Sequence, residues 1–159
     1  MAMTDKVSTC LWFDRNAEEA VGFYTSVFRN SKILAVTRYG ETGPGPKGSV
    51  LTIVFTLDGR EFTALNGGPV FSFTPAVSLV VTCADQDEVD EMWSKLIDGG
   101  APQQCGWLTD RFGLSWQIVP AALQDMIQDD DAERSNRVMA ALLKMVKLDI
   151  AELEKAYRQ

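Results

Sequence analysis

An internal repeat limits the folds that this chain can adopt. A constant shift of 69 positions aligns two predicted helices, pairing Asn16 with Asp85 and Glu19 with Glu88. Each copy has a residue that favours a helix N-cap, then a glutamate three positions on, then an apolar stripe at helical spacing. Asn16 and Glu19 are predicted to form a capping-box-like arrangement, and an apolar, strand-like run precedes each helix. The repeat predicts two strand–helix modules, with any site lying between them.

The remaining pattern predicts an α+β fold with a helical C-terminal extension. Apolar runs and turn residues predict strands at 7–13, 32–39, 50–57 and 60–65 in the first copy and at 76–81, 105–109 and 114–119 in the second. Helices are predicted after the second copy at 121–127, 132–146 and 149–157. We expect one domain at 1–128, with modules at about 5–69 and 70–120, and an extension at 129–159.

Composition narrows the possible partners and the location. The net charge of −7 and the pI near 4.6 argue against nucleic acid and membranes as partners, because phosphate groups are bound by clustered Lys and Arg. No apolar run approaches the roughly 18–20 residues of a membrane span, and residues 1–7 have no signal-peptide pattern. Cys10, Cys83 and Cys105 are widely spaced without a CxxC motif, which predicts free thiols and a cytoplasmic location.

The chain contains no histidine, which restricts its chemistry further. An internal histidine base, a Ser-His-Asp triad and an imidazole-ligated metal are excluded. Other bases and nucleophiles stay possible, and the candidates are the carboxylates Glu61 and Asp110 and the thiols Cys10 and Cys105. The alternative for each is a solvated carboxylate or an inert buried thiol.

Two motifs carry a resemblance to a known family. They are the segment 62–69, FTALNGGP, and the longer segment 105–120, CGWLTDRFGLSWQIVP. With these motifs and its order of strands and helices, the chain resembles the vicinal oxygen chelate, or glyoxalase/bleomycin-resistance, superfamily. It is most similar to the PhnB-like branch, often labelled 3-demethylubiquinone-9 3-methyltransferase-like. The resemblance implies two βαβββ-type modules whose curved sheets form a cup, and it implies a homodimer.

The resemblance also implies where a metal would bind. In metal-dependent relatives, four ligands come from the first and last strands of the two modules. The corresponding positions here are Ser8, Thr63, Val77 and Gln117. A divalent transition metal needs anionic or imidazole donors. Two hydroxyls, an isopropyl group and an amide do not supply them, so neither a metal nor another cofactor is predicted.

Alternation groups the candidate binding residues on strand faces. It places Ser8, Cys10 and Trp12 on one face of the first strand, and Ser115 with Gln117 on one face of the last. The resemblance implies that these faces line the cup. The predicted ligand-binding residues are Ser8, Cys10, Trp12, Glu61, Thr63, Trp107 and Gln117. The alternatives are a closed cup filled by core residues and, for Gln117, a hydrogen bond to a neighbouring side chain or to water.

The leading functional hypothesis is metal-independent binding of a small apolar or aromatic molecule in the cup. One alternative is a metal-independent enzyme that uses a carboxylate or a cysteine, and another is a regulatory or scaffold dimer with a filled cup. A methyltransferase of the usual kind has a glycine-rich turn between a strand and a helix. Here the glycine-rich segment 40–48 lies between two predicted strands. This segment is predicted to be either a lid over the cup or a plain flexible hairpin.

Overall fold

Each copy of the repeat forms its own four-stranded sheet with a helix. The computed structural model describes residues 5–159, in two units that divide between Ser72 and Phe73. Unit 1 contains β1 (Thr9–Phe13), α1 (Ala17–Val27), β2 (Lys32–Arg38), β3 (Val50–Leu57) and β4 (Arg60–Asn66). Unit 2 contains β5 (Ser78–Cys83), α2 (Gln86–Ile97), β6 (Ala101–Pro102), β7 (Trp107–Thr109) and β8 (Ser115–Pro120), followed by α3 (Ala121–Ile127), α4 (Ala132–Leu142) and α5 (Ile150–Arg158).

The two sheets share one topology. The strand orders are β1-β4-β3-β2 and β5-β8-β7-β6. In each sheet the first strand lies parallel to the last strand of its module, and the other pairs are antiparallel. The predicted α+β fold with two βαβββ-type modules is confirmed. The short strand β6 is absent from the sequence prediction because two residues show no alternation, and Pro102, which has no N–H to donate, suits this sheet edge.

In unit 1 the apolar stripe of α1 packs on one face of the sheet. Ala20, Val21 and Tyr24 of the helix are fully buried, as is Phe55 of β3. The rings of Phe55 and Phe62 stack with 5.6 Å between their centroids. Each large side chain buried in this way stabilises the unit by roughly 1.5–3 kcal/mol. The opposite face of the sheet is left to the candidate binding residues.

The helix α1 begins differently from the prediction. Asn16 precedes the helix, but its side chain makes no capping hydrogen bond, so the predicted capping box is wrong. The buried side chain of Asn66 caps the helix instead. Its Oδ1 accepts a hydrogen bond from Ala17 N at 2.9 Å, and its Nδ2 donates to Glu18 Oε1 at 2.9 Å. The parallel pairing of β1 and β4 sets Asn66 beside Phe13, which brings it to the first turn of α1.

The helices α2 and α5 have the caps that the sequence predicts. Asp85 Oδ1 accepts a hydrogen bond from Glu88 N at 2.9 Å, and the Glu88 carboxylate accepts one from Ala84 N at 2.9 Å. At α5, Asp149 Oδ1 accepts a hydrogen bond from Glu152 N at 3.2 Å. Both helices are therefore capped by side chains that directly precede them.

The three C-terminal helices belong to unit 2. A buried cluster joins them, formed by Leu123, Met126, Val138, Leu142, Leu148 and Leu153. The prediction that α4 runs to residue 146 is wrong, because the chain turns after Leu142. This turn lets the carbonyls of Met145 and Val146 accept hydrogen bonds from Cys105 N at 2.9 Å and Gly106 N at 2.7 Å. No helix within residues 5–159 is long and apolar enough to cross a membrane.

The glycine-rich segment 40–48 wraps around the ring of Tyr39. A Cβ atom added at Gly45 would lie 2.2 Å from this ring, so a glycine is needed at the point of closest approach. Gly48 N donates to Tyr39 O at 2.8 Å, and the Tyr39 hydroxyl donates to Asn66 O at 2.6 Å. The loop is thus packed against unit 1. Its movement as a lid stays a prediction.

Candidate small-molecule site

In unit 1 several predicted binding residues share the sheet face opposite α1. The parallel register of β1 and β4 places Cys10 beside Thr63, with Trp12 two residues further along on the same face. Glu61 is half-buried two residues before Thr63 on β4. Ser8 is exposed and directly precedes β1. This face therefore carries hydroxyl, thiol, carboxylate and indole groups side by side.

Trp12 is held by the loop that follows β4. Its indole Nε1 donates a hydrogen bond to Gly68 O at 2.9 Å, and its ring meets Phe71 edge-on with 4.9 Å between centroids. A Cβ atom added at Gly67 would lie 2.3 Å from the indole ring. Gly67 thus leaves room for the indole, and Gly68, with a φ of 93°, allows the turn that places its carbonyl at Trp12 Nε1. This contact gives the residue a structural role, and its role in ligand binding stays a prediction.

In unit 2, Gln117 lies in the middle of the sheet face opposite α2. It is half-buried and pairs with Val80 of β5 and Trp107 of β7, whose side chains point to the same face. Its Nε2 donates a hydrogen bond to Ser78 Oγ at 3.0 Å. Gln117 thus has a neighbouring side chain as a hydrogen-bond partner, and its role in ligand binding stays a prediction. The same bond fixes the amide beside Trp107.

The two copies of the repeat align with different shifts in their helices and strands. The helices α1 and α2 begin 69 positions apart. Thr63 and Gln117 are equivalent, since each lies four residues after the glycine of its hairpin. Their partners on the first strands are Cys10 and Val80, so the first strands align with a shift of 70. One residue fewer therefore joins the strand to the helix in unit 2.

This difference corrects one predicted position. A slip of one residue along a strand moves a side chain to the opposite face, so Val77 does not share the face of Gln117. It precedes β5 and is 66% exposed. The counterpart of Ser8 is Ser78, whose hydroxyl accepts the hydrogen bond from Gln117. Ser78 was missed because the two copies were aligned by their helices, whose shift of 69 matches Ser8 with Val77.

Hydroxyl groups form a row across the sheet of unit 2, which we call the hydroxyl row: Ser78, Ser115 and Thr109. Ser115 of β8 pairs with Ser78 of β5 on one side and with Thr109 of β7 on the other. Gln117 donates to Ser78, and Gln103 Nε2 donates to Thr109 Oγ1. Ser115 is fully buried, and its Oγ has no hydrogen-bond partner within residues 5–159. Ser78, Thr109 and Gln103 were not among the predicted site residues.

Asp110 is buried, which corrects the interpretation of it as a solvated carboxylate. It is only 3% exposed. Its carboxylate accepts hydrogen bonds from Phe112 N at 2.8 Å, Leu114 N at 3.1 Å and the indole Nε1 of Trp116 at 2.8 Å. These three donors close the turn between β7 and β8 and fix the buried Trp116. The arrangement favours a structural role for Asp110 over that of a general base.

Cys10 and Cys83 are poorly suited to nucleophilic catalysis. Partial desolvation raises the pKa of the Cys10 thiol above its ordinary value. Burial, together with the nearby charges of Glu88 and Asp85, raises the pKa of Cys83 to about 12. Cys105 is half-buried against the C-terminal cluster. Because the thiolate is the reactive form, the raised pKa favours an inert thiol at Cys10. Cys10 is exposed, however, so the expectation that it is buried is wrong. The interpretation of Cys105 stays a prediction.

The side chains at the four implied metal positions do not fit a transition metal. With Ser78 in place of Val77, these positions carry the hydroxyls of Ser8, Thr63 and Ser78 and the amide of Gln117. All four are neutral oxygen or nitrogen groups, whereas the metal needs anionic or imidazole donors. In the described part of the chain, no group of three or more His, Cys, Asp or Glu residues could hold a metal ion.

A shallow depression of about 430 Å³ opens at the hairpin between β3 and β4. Its lining residues are Asp5, Val7, Asp58, Gly59 and Arg60. None of them belongs to the predicted binding set, and an open, polar depression is a poor environment for an apolar ligand. The register of the strands is therefore the better guide to the candidate site.

Two βαβββ-type modules define the glyoxalase, or vicinal oxygen chelate, class of fold. Protein PA1353 from Pseudomonas aeruginosa is similar to the chain with a TM-score of 0.62 and 18% identity, covering 74% of this chain and 98% of that chain. The fosfomycin resistance protein FosX from Listeria monocytogenes, complexed with Mn(II) and sulfate, has a TM-score of 0.52 and 13% identity, covering 72% of this chain and 90% of that chain. At these identities the likeness shows the fold alone.

Within this class, the chain belongs to the 3-demethylubiquinone-9 3-methyltransferase family, whose model matches residues 5–119. A PhnB protein from Bacillus cereus is 42% identical, with a TM-score of 0.68, covering 74% of this chain and 100% of that chain. No curated protein matches the chain. The helices α3, α4 and α5 follow residue 119 and so lie outside the family match.

Proposed function

We propose that this chain binds a small apolar or aromatic molecule without a metal, on the sheet face that carries Gln117. The observation that carries the proposal is the Gln117 amide, held at 3.0 Å by Ser78 and set beside Trp107 and Val80. Small-molecule sites combine apolar and aromatic walls with a few fixed polar groups. The neutral groups at the implied metal positions support the metal-independent part of the proposal.

The sheet face of unit 1 is proposed as a second candidate binding face, considered by itself. Cys10, Trp12 and Thr63 share that face by register, with Glu61 next to them on β4 and Ser8 in front of β1. The indole of Trp12 keeps its hydrogen bond to Gly68 O in this arrangement. Its ring can therefore contribute apolar surface without giving up its own polar partner.

A metal-independent enzyme has weaker support than a binding protein. Asp110 is buried under three donors, and the pKa of Cys10 is raised, so two of the candidate catalytic groups are poorly placed. A methyltransferase has little support from the glycine-rich segment 40–48, which lies between β2 and β3 and packs around Tyr39. Metal-free binding accounts for more of the observed side-chain arrangement.

Native mass spectrometry of protein purified from its own host tests the proposal. We expect a small organic molecule bound to the wild-type chain, with no stoichiometric metal. Gln117→Leu should weaken its binding roughly tenfold, because one or two hydrogen bonds are lost. Gln124→Leu is the matched control, because it is the same substitution at an exposed position of α3. Equal ligand retention by both variants would count against the Gln117 face.

The other outcome against the proposal is a transition metal bound at one equivalent and lost in Gln117→Leu. That result would show that Gln117 takes part in metal binding rather than in metal-free binding of an organic molecule. The same spectra report stoichiometry. A homodimer and a cytoplasmic location stay predictions from the sequence, and the first is tested by the mass of the intact complex.

A further inference from the structure

We propose that Ser115 selects the ligand, binding an uncharged hydroxyl or amide group on an aromatic molecule. The inference rests on the function proposed above and adds the chemical class of the ligand and the residue that recognises it. It starts from the hydroxyl row of unit 2, in which Ser115 lies between Ser78 and Thr109.

Two glutamine side chains bond to the neighbours of Ser115 and leave Ser115 itself without a partner. Gln117 donates to Ser78 at 3.0 Å, and Gln103 donates to Thr109. Both outer hydroxyls are thus satisfied. The Oγ of Ser115 is fully buried and makes no hydrogen bond with any described residue. The middle of the row is therefore an unfilled polar position.

An unpaired buried hydroxyl destabilises a folded protein, because it has lost its water without gaining a partner. Buried polar groups without partners are rare, and each needs an explanation such as a missing water or a functional role. A ligand group that bonds to the Ser115 hydroxyl would remove this penalty on binding. The hydroxyl can both donate and accept, so an alcohol, a phenol or an amide would satisfy it.

The neighbours of Ser115 define the ligand as uncharged. In its own row and in the row of Gln117, the paired residues are Ser78, Thr109, Val80 and Trp107, none of which is charged. A charged group desolvated there would meet no opposite charge on the sheet face of unit 2. Trp107 and Val80 supply the apolar surface against which an aromatic ring packs.

We place the route of a ligand to the Ser115 hydroxyl past Gln103, whose side chain bonds to the neighbouring Thr109, while Gln117 stays on Ser78. Gln103 is partly exposed and is held at this face by a single side-chain hydrogen bond, the one to Thr109. Rotamer changes of partly exposed side chains take place within nanoseconds. A hydroxyl or amide of the ligand can then bond to Ser115 while the displaced amide bonds to solvent or to the ligand.

Three ring compounds that differ in one group test the inference: phenol, toluene and benzoate. Their dissociation constants are measured by NMR titration of the isotope-labelled full chain. We expect phenol to bind the wild type about fivefold more tightly than toluene, which corresponds to one net hydrogen bond, and benzoate to bind no better than toluene. In Ser115→Ala the advantage of phenol over toluene should disappear, with toluene unaffected.

The stability of the ligand-free protein gives a second readout that an ordinary structural hydroxyl would not share. Ser115→Ala removes an unpaired polar group, so its melting temperature should rise by roughly 2–4 °C. Ser78→Ala is the matched control in the same row. It should lower the melting temperature, because the Gln117 amide loses its acceptor.

A fall in melting temperature for Ser115→Ala would overturn the inference, because it would show that the hydroxyl already has a partner such as a buried water. An unchanged preference for phenol in Ser115→Ala, or no binding of phenol to the wild type, would overturn it as well. None of these results decides the broader proposal, which depends on the ligand found by native mass spectrometry and on its loss in Gln117→Leu.

Discussion

The two units cap their central helices in different ways, although the sequence repeat pairs Asn16 with Asp85. In unit 2 the cap is local, since Asp85 directly precedes α2 and accepts from Glu88 N. In unit 1 the cap comes from Asn66, 49 residues beyond the Ala17 amide that it satisfies. A local cap can form with the helix alone, whereas a remote cap forms only after β1 and β4 have paired. The start of α1 is therefore coupled to the register of its sheet.

The hairpins that end the two modules show the reverse difference: a buried side chain closes the one in unit 2 and not the one in unit 1. In unit 1, Asp58 and Gly59 make a tight turn with φ values of 49° and 80°, a backbone conformation that suits a two-residue hairpin. In unit 2, the longer turn is closed by the buried carboxylate of Asp110. Unit 1 thus fixes its helix through a buried side chain and its hairpin through the backbone. Unit 2 fixes its helix with an exposed cap and its hairpin through a buried side chain.

The largest expected effect comes from removing the remote cap. Asn66→Ala removes the acceptor of Ala17 N in a buried site, and it also removes the side-chain donor to Val50 O at 3.0 Å. We expect the free energy of unfolding to fall by about 3 kcal/mol. Asp85→Ala removes one exposed capping bond and should cost about 1 kcal/mol. Urea denaturation followed by circular dichroism measures both.

Equal losses for the two variants would show that the remote cap contributes no more stability than the local one. A further control is Asn16→Ala, which the repeat pairs with Asp85 but whose side chain caps nothing. It should change the free energy of unfolding by less than about 0.5 kcal/mol, as surface substitutions usually do.

The hairpin of unit 2 should depend more on its aspartate than the hairpin of unit 1 does. Asp110→Asn keeps the size of the side chain but sets an amide N–H₂ near three N–H donors, so at least one of them loses its acceptor. We expect a loss of about 2 kcal/mol in the free energy of unfolding. Asp58→Asn is the matched control, because asparagine tolerates a positive φ and the position is exposed. It should be neutral within about 0.5 kcal/mol.

Tryptophan fluorescence distinguishes a local from a global effect of Asp110→Asn, since the carboxylate fixes the indole of Trp116. A shift in the emission of the folded variant is expected together with the loss of stability. If Asp58→Asn were the more damaging change, it would be wrong that the backbone fixes the hairpin of unit 1 and a buried side chain that of unit 2.

Sequence patterns were sufficient for several features that depend on neighbours in the chain, although the Asn16 cap and the end of α4 were predicted wrongly. The bounds of β3 and α3 agree with the predicted 50–57 and 121–127, because each has a clear apolar run and a sharp breaker at its end. The caps at Asp85 and Asp149 follow from residues within one turn. The remote cap at Asn66 could not be predicted in this way, since its partner is set by strand pairing.

The candidate site was predicted only in part, for a physical reason. Alternation placed Gln117 correctly on the open face of its strand, but the alignment of the copies placed Val77 where Ser78 belongs. The loss of one residue from the turn before a helix leaves the helix pattern intact. The same shift of one position in an alignment of strands assigns each side chain to the wrong face. Ser115 is unpaired because the nearby glutamines bond to Ser78 and Thr109 instead, and no sequence pattern predicts these hydrogen bonds.

The smallest expected effect concerns the C-terminal extension, a contact that only unit 2 has. Lys147 Nζ lies 2.7 Å from Asp90 Oδ1 of α2. Hydrogen bonds from Lys147 and then from Gln86 hold the pKa of Asp90 below its ordinary value. Such a carboxyl contributes stability above its unfolded pKa of about 3.9 and loses it as the pH falls through the lower, folded pKa.

Lys147→Met should therefore lower the melting temperature slightly at about pH 6, and its difference from the wild type should narrow as the pH falls below about 4. Lys144→Met is the matched control, because Lys144 is exposed and forms no ion pair within residues 5–159. A difference that stays constant into acid would mean that the stem of Lys147 acts by packing. The polar contacts that hold the extension to α2 would then be those of Gln86, which donates to Leu148 O and accepts from Ile150 N independently of charge.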